Sequence, residues 1–392
     1  QRQMHDIEQN YQVANLAGPG CTFAPNCSLW VTGWPDAWWL TEQQRVDRDY
    51  AAFGEATWDI TSNLSLLAGL RHFKYDNSLE GYRGYGLNNP LSAASGLGEA
   101  GVCDFTIQYH GAPCLSFNKS TTGTGNTPKF TLTYKFGDRS LVYATYSKGF
   151  RPGGINRVGD LPPYQADFLE NYEIGWKTTW LDNHLRYNGA FFWEDWTNFQ
   201  FAFLGANGLT RIANAGAARS TGMENELQWL ITHGFTVAAG LTVMNPRLTE
   251  NYCGAINPDG SPITNCPAPK APSGTQLPGT SKVKGNLTAR YDFPLGTWQS
   301  YGQASYVYQS EQWADLRLQQ RDEIGQQPAF SLLNLSTGIA RNGLALDLFL
   351  TNVFDERGQT FRFTQCGSCS GVNNYVVPTQ PRTIALRFSQ KF

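Results

Sequence analysis

Apolar and polar residues alternate one for one along most of this chain. In 129–136, KFTLTYKF, the residues Phe130, Leu132, Tyr134 and Phe136 alternate with Thr131, Thr133 and Lys135. In 171–180, Tyr172, Ile174, Trp176 and Trp180 share one side, with Glu173 and Lys177 on the other. In 283–293, Val283, Leu287, Ala289, Tyr291 and Phe293 oppose Lys284, Asn286, Thr288, Arg290 and Asp292. In 344–354, Leu344, Leu346, Leu348 and Leu350 alternate with Ala345, Asp347, Phe349 and Thr351. Successive side chains of a strand point to opposite faces, so each segment predicts a strand with one apolar and one polar face. The last stretch, QPRTIALRFSQKF (380–392), does the same: Ile384, Leu386, Phe388 and Phe392 lie on one side, Thr383, Ala385, Arg387, Ser389 and Lys391 on the other. An ordinary sandwich strand reads this way too. A strand whose apolar face meets lipid, with its last ring at the interface, also accounts for an ending on Phe.

Thirteen such segments start near 46, 64, 129, 141, 171, 184, 210, 235, 283, 298, 330, 344 and 380. The breaks between them alternate in length. Short ones fall at 59–63, 137–140, 181–183, 232–234, 294–297 and at Asn342-Gly343, a strong hairpin signal. Long ones fall at 76–127, 150–168, 249–279 and 355–379, with a medium one before 330. Residues 1–45 read as irregular exposed chain, an extracellular loop region, and 46–392 as the strand-built body. Short turns at one end and long loops at the other are the asymmetry of an outer-membrane barrel. Full charges on the polar faces suit a wet lumen better than a packed core. The expected fold is all-β, an antiparallel transmembrane β-barrel.

Composition narrows this further. Charged residues are 16% and aromatic residues 14% of 392, with 40 Gly. A soluble domain carries about 25% charged residues. No run of 18 apolar residues exists, which excludes a helical membrane protein. A net charge of −2 gives no electrostatic case for a nucleic-acid partner. No charged-then-apolar leader opens the chain at Gln1, so an export signal is expected to be missing or already removed. The eight cysteines fall as close pairs: Cys21 with Cys27, Cys103 with Cys114, Cys253 with Cys266, Cys366 with Cys369. This suggests four disulfides in an oxidising compartment, although spacing alone does not fix connectivity. Only Cys366 and Cys369 have CxxC spacing, which disfavours zinc, and no helix-forming sequence follows them, which disfavours a redox motif.

Bacterial single-chain barrels have even strand numbers, so thirteen segments suggest a truncated set. If these are strands 10 to 22 of a 22-strand transporter barrel, the parity agrees. The stretches ATYSKGFRPGG (144–154), ENYEIGWKTTW (170–180), GMENELQW (222–229), TNVFDERG (351–358) and RTIALRFSQKF (382–392) resemble the carboxy-terminal barrel of TonB-dependent outer-membrane receptors. That resemblance covers about 46–392 and implies a 22-strand barrel closed by an amino-terminal plug, which the inner-membrane TonB complex pulls on. The plug, the TonB box and the first strands are absent from this sequence, and the chain is expected not to close alone. It implies capture and energised uptake of a scarce small-molecule nutrient such as a ferric siderophore, with outer-membrane lipid and TonB as partners. The rivals are a passive porin, a surface adhesin or a barrel-anchored hydrolase.

Chemistry-bearing motifs are few. GLGEAG (96–101) matches a dinucleotide fingerprint but lacks the strand before it and the helix after it, so it reads as loop glycine. His5, His72, His110, His184 and His233 are scattered, with no ligand spacing, so no metal, cofactor or catalytic group is expected. Recognition at the mouth is what remains. Trp30, Trp34, Trp38 and Trp39 suit stacking on a ligand, but equally an aromatic girdle or loop packing. Arg151 and Arg157 flank a Gly-rich loop and suit an anionic ligand, but equally solvent or lipopolysaccharide. Tyr172, Trp176, Phe388 and Phe392 are assigned to lipid.

Overall fold

The computed structural model describes the chain apart from residues 14–28, 90–102, 105, 158–160, 205–209, 365–373 and 392. The expectations for Cys21, Cys27, Cys366, Cys369, Phe392 and the 96–101 glycine motif therefore lie outside the described residues. The strands are β1 (Arg2–Gln12), β2 (Ala37–Asp59), β3 (Leu64–Tyr85), β4 (Phe117–Lys135), β5 (Ser140–Arg151), β6 (Asp167–Trp180) and β7 (Leu185–Thr197). They continue as β8 (Gln200–Leu204), β9 (Thr210–Asn214), β10 (Ala218–Thr232), β11 (Phe235–Met244), β12 (Arg247–Leu248), β13 (Val283–Leu295) and β14 (Trp298–Gln309). A short helix α1 (Leu318–Ile324) precedes β15 (Phe330–Arg341), β16 (Leu344–Thr351), β17 (Gln359–Thr364), β18 (Asn374–Pro378) and β19 (Thr383–Gln390).

Among the described residues, fourteen of these form one antiparallel wall: β1 to β7, then β10, β11, β13, β14, β15, β16 and β19. β8–β9 and β17–β18 are separate hairpins inside long connections. Every tight turn falls at one end of the wall. The turn at Asn342-Gly343 has both residues at positive φ, 50° and 82°, as a two-residue hairpin requires. Cross-strand register carries the alternation from strand to strand: Leu67 faces Thr131, which faces Thr145, which faces Glu173. The polar side chains therefore share one face. The apolar face is exposed, with Ile384, Leu386 and Phe388 at 72%, 68% and 67% beside Leu350, Leu348 and Leu346 of the neighbouring strand.

The first 45 residues differ from the sequence expectation. Arg2–Gln12 is a strand, and the next begins at Ala37 rather than near Val46, so the wall has fourteen strands instead of thirteen. The reason is local. β1 is polar on both sides, and AWWLT at the start of β2 is buried on both sides, so neither shows alternation. The upper part of the β2–β3 hairpin stands between two packed loops. On the apolar-face side, Leu40 and Tyr82 cluster with Ala112 and Cys114. There a Cys103–Cys114 disulfide closes the loop. On the polar-face side, Leu79 and Phe117 meet Ile155.

The wall is open. β1 pairs with β2 no lower than Arg48 (Gln1, just before β1, bonds Asp49), so among the described residues β2 from Tyr50 to Asp59 has a bare outer edge, as does β19. Bare edges in lipid leave backbone groups without partners. Refolded alone in detergent, this chain is expected to run at the same apparent mass on a denaturing gel with and without boiling. A boiling-dependent shift would show that its edges had found each other.

Candidate functional site

The long connections form a structured roof at one end of the wall. Phe199, Phe201 and Ala215 come from the β7–β10 connection, Leu248, Tyr252, Ala271 and Leu277 from the β11–β13 connection, and Leu316 from the β14–β15 connection. They are buried together in one apolar core, which unwelcomed water would otherwise solvate at about 25 cal/mol per Å². A Cys253–Cys266 disulfide closes the middle connection. Arg317 pairs with Asp315 at 2.8 Å, both side chains nearly buried, and lies over the Phe203 ring at 4.4 Å. Arg321 donates Nε to the Asp315 carbonyl at 2.9 Å, and burial pushes its guanidinium down to about 10 despite the opposing pull of Asp315. The β17–β18 hairpin is fastened to α1 by Arg362 Nη1 donating to the Ile324 carbonyl and Asn374 Nδ2 to that of Glu323. Between these parts lies a cavity of about 290 Å³, lined by Phe203, Leu204, Asp315, Arg317, Phe361 and Phe363.

Asp167 ties the roof to the wall. Its side chain is 1% exposed. It accepts from Arg151 Nε at 2.9 and 3.0 Å, from Arg151 Nη2, from Trp196 Nε1 at 3.1 Å, and from the backbone N–H groups of Arg151 and Gln200. Arg151 also donates to the Gln200 carbonyl at 2.8 Å and lies over the Trp196 ring. A carboxylate with this many donors is a structural anchor, and it occupies the arginine that the sequence offered to a ligand. Asp167 was missed because it sits sixteen residues from Arg151 in sequence; the two face each other across the β5–β6 register.

The expected tryptophans are placed in packing. Trp39 is 5% exposed, donates Nε1 to Thr41 Oγ1 at 2.9 Å, and meets Tyr85 edge-on beside Trp38. Trp34 donates Nε1 to the Gly111 carbonyl at 3.0 Å and packs on the Leu40–Tyr82 cluster. Trp30 is half-buried. Arg157 stands apart from Arg151: it lies in the β5–β6 loop, half-buried, near Arg45, and its carbonyl accepts from Arg83, two cations the sequence reading did not single out.

The polar face below the roof holds a cavity of about 610 Å³, lined by Tyr143, Glu173, Lys177, Glu224, Glu226 and Lys284 among others. Tyr143 donates its hydroxyl to Glu173 at 2.5 Å. Nearer the tight turns, Arg387 and Tyr301 both donate to Asp347 at 2.9 Å. No group of three or more metal-ligating side chains occurs among the described residues.

An antiparallel wall with an exposed apolar face, a charged opposite face, tight turns at one end and a packed roof at the other defines an outer-membrane barrel protein. A family profile described as "TonB dependent receptor-like, beta-barrel" matches residues 9–353, and the chain belongs to that family. The Pesticin receptor of Yersinia enterocolitica is 27% identical over 205 residues, 51% of this chain and 26% of that protein. The ferric yersiniabactin uptake receptor FyuA from Yersinia pestis superposes with a TM-score of 0.68 at 17% identity, covering 91% of this chain and 48% of that one. The siderophore receptor PiuA from Acinetobacter baumannii superposes at 0.64 and 18% identity, covering 90% and 45%. These superpositions show the fold, and this chain spans less than half the length of either solved relative. The family consists of outer-membrane receptors and transporters rather than enzymes. The apolar face is thus the lipid face, the polar face lines the lumen, and the roof is extracellular.

Two outcomes follow. Asp167→Ala removes the acceptor of Arg151 Nε, of Trp196 Nε1 and of two backbone N–H groups, while Arg151 Nη2 keeps the Gln200 carbonyl, and is expected to destabilise the roof by about 2–3 kcal/mol. Faster protease cleavage within 198–217, with the wall intact, checks this. Burial pushes the Tyr252 phenol up to about 12, with Arg317 pulling it down and Asp315 pushing it up by less. A folded value above the ordinary 10 means that this stability is fully present below about pH 10 and lost as pH rises towards 12. Roof protection from protease should fall across that window, and Tyr252→Phe should flatten the fall.

Proposed function

We propose that the protein carrying this chain captures a small ligand at its extracellular mouth and takes it up across the outer membrane with energy from TonB. The ligand class we favour is a ferric siderophore. The observation that carries this reading is the family match over 9–353, joined by relatives named for siderophore uptake. The roof adds support: several long connections packed into one body hold a concave surface in place, which lowers the entropy lost on binding. In this reading the plug and the TonB box lie outside this sequence, and TonB meets the receptor through them. Neither catalysis nor a nucleic-acid partner is part of the reading.

The test is growth under iron restriction. Cells deleted for the full-length gene should fail on the ferric siderophore that this receptor admits. Plasmid-borne receptor should restore growth and radioactive iron uptake only where TonB is present. Equal iron uptake by deleted and parental cells from a panel of ferric chelates would sink the reading.

A further inference from the structure

The ladder between β4 and β5 ends before β4 does. The two strands pair from Lys135 opposite Leu141 up to Lys129 opposite Ser147, while β4 continues to Phe117 against β3 alone. The upper end of β5 has turned aside, and Lys148 to Arg151 pair only with β6. There the Phe150 ring stacks on Phe73, with centroids 3.4 Å and planes 9° apart. Phe73 has the parity of Leu67, so it lies on the lumen face of β3, opposite Gly125. The β5–β6 hairpin thus slips inside the sheet of β2, β3 and β4, and one side of upper β4 is left without a neighbouring strand among the described residues.

Register shows which backbone groups this leaves over. Lys135 donates its N–H to the Asn63 carbonyl on the β3 side, and Phe136 donates to the Ser140 carbonyl on the β5 side. Backbone groups of an antiparallel strand alternate in this way between its two neighbours. The β3–β4 register runs without a shift from Leu64 to Gly81. The N–H and C=O groups of Asn118, Ser120, Thr122, Thr124 and Asn126 therefore point away from β3, and they meet no backbone partner among the described residues. Pro128 is next in the series, and a strand tolerates proline where its missing N–H would face a free edge.

This edge stands in water. Phe130, Tyr146, Tyr172 and Trp193 lie side by side in register on the lipid face, as an interfacial aromatic belt does. The edge starts just above Phe130 and rises about 30 Å. Exposed edges are normally guarded by a charge, a bulge or a covering loop. From Ser120 to Thr127 the residues are Ser, Thr, Gly and Asn, with no charge and no bulge. A row of paired donors and acceptors repeating every 7 Å or so matches another extended backbone, and neither sugar hydroxyls nor lipid phosphates repeat with it.

We propose that the upper edge of β4, from Asn118 to Asn126, is a docking site for an extended segment of an extracellular protein, which adds as a strand where β5 leaves off. Recognition runs through the backbone, so it is independent of the small ligand taken up.

Residue-resolved hydrogen exchange on the purified full-length receptor tests this. The amides of Thr121, Gly123 and Gly125, bonded to β3, should exchange slowly, and those of Ser120, Thr122 and Thr124 fast. A short peptide alternating Thr and Val, with Lys at each end, should bind saturably and slow those three. The same peptide N-methylated along both edges should not bind. Thr122→Pro should weaken binding about tenfold, the loss expected for one backbone bond. Thr122→Lys keeps every backbone group and adds the usual guard, and should weaken it too. Boiling-dependent gel mobility should show both variants folded. Slow exchange of Ser120, Thr122 and Thr124 in the free receptor would mean that the edge is already covered, and would overturn the proposal. So would no binding of the unmodified peptide, equal binding of the N-methylated one, or unchanged binding by both variants. Self-association of the receptor that protects the same three amides would assign the edge to a second copy, and would overturn it as well.

Discussion

Backbone hydrogen bonding in a medium without water governs this chain. A strand in hydrocarbon finds partners for its N–H and C=O groups only in the strands beside it. The antiparallel path, the tight turns that keep neighbours adjacent, and the uninterrupted registers of β3 against β4 and β6 against β7 all serve that need. So does the fate of the edges. β19 and the lower half of β2 keep one side each without a partner among the described residues. The chain spans under half the length of its solved relatives.

The same medium explains the division between faces and ends. Below the roof each strand has lipid on one side and water on the other, so side chains sort by parity, and charged pairs such as Asp347 with Arg387 stay on the lumen side. Above that level lipid no longer contributes, and the chain builds an ordinary packed core. Leu248, Leu316 and Tyr252 are buried there much as in a soluble domain, with Asp167 as the polar fastening. The protein is thus two materials joined end to end, a wall ordered by hydrogen bonds and a roof ordered by side-chain packing.

That division also decides what could be read from the sequence. Where two solvents meet a strand, alternation records it, and β4, β6, β13, β16 and β19 were legible for that reason. So was the turn at Asn342-Gly343, whose backbone needs residues tolerant of positive φ. Where loops cover both sides, as around Trp39 and Leu40, the period vanishes, and 1–45 read as irregular chain. The arginines were half legible. Their type pointed to anions, but only the folded arrangement separates Arg151, held by Asp167, from Arg157, which the loop sets down beside Arg45. Such partners lie far along the chain and leave no local mark.

The roof core has one more consequence, for immune recognition. Its buried residues come from the stretches 198–217, 245–282 and 310–329, so the shape each presents outward depends on the other two. An antibody raised on the folded receptor would meet a discontinuous epitope, and a peptide cut from any single loop would lack the neighbours that give that loop its form. A vaccine antigen drawn from this surface would need all three stretches held together.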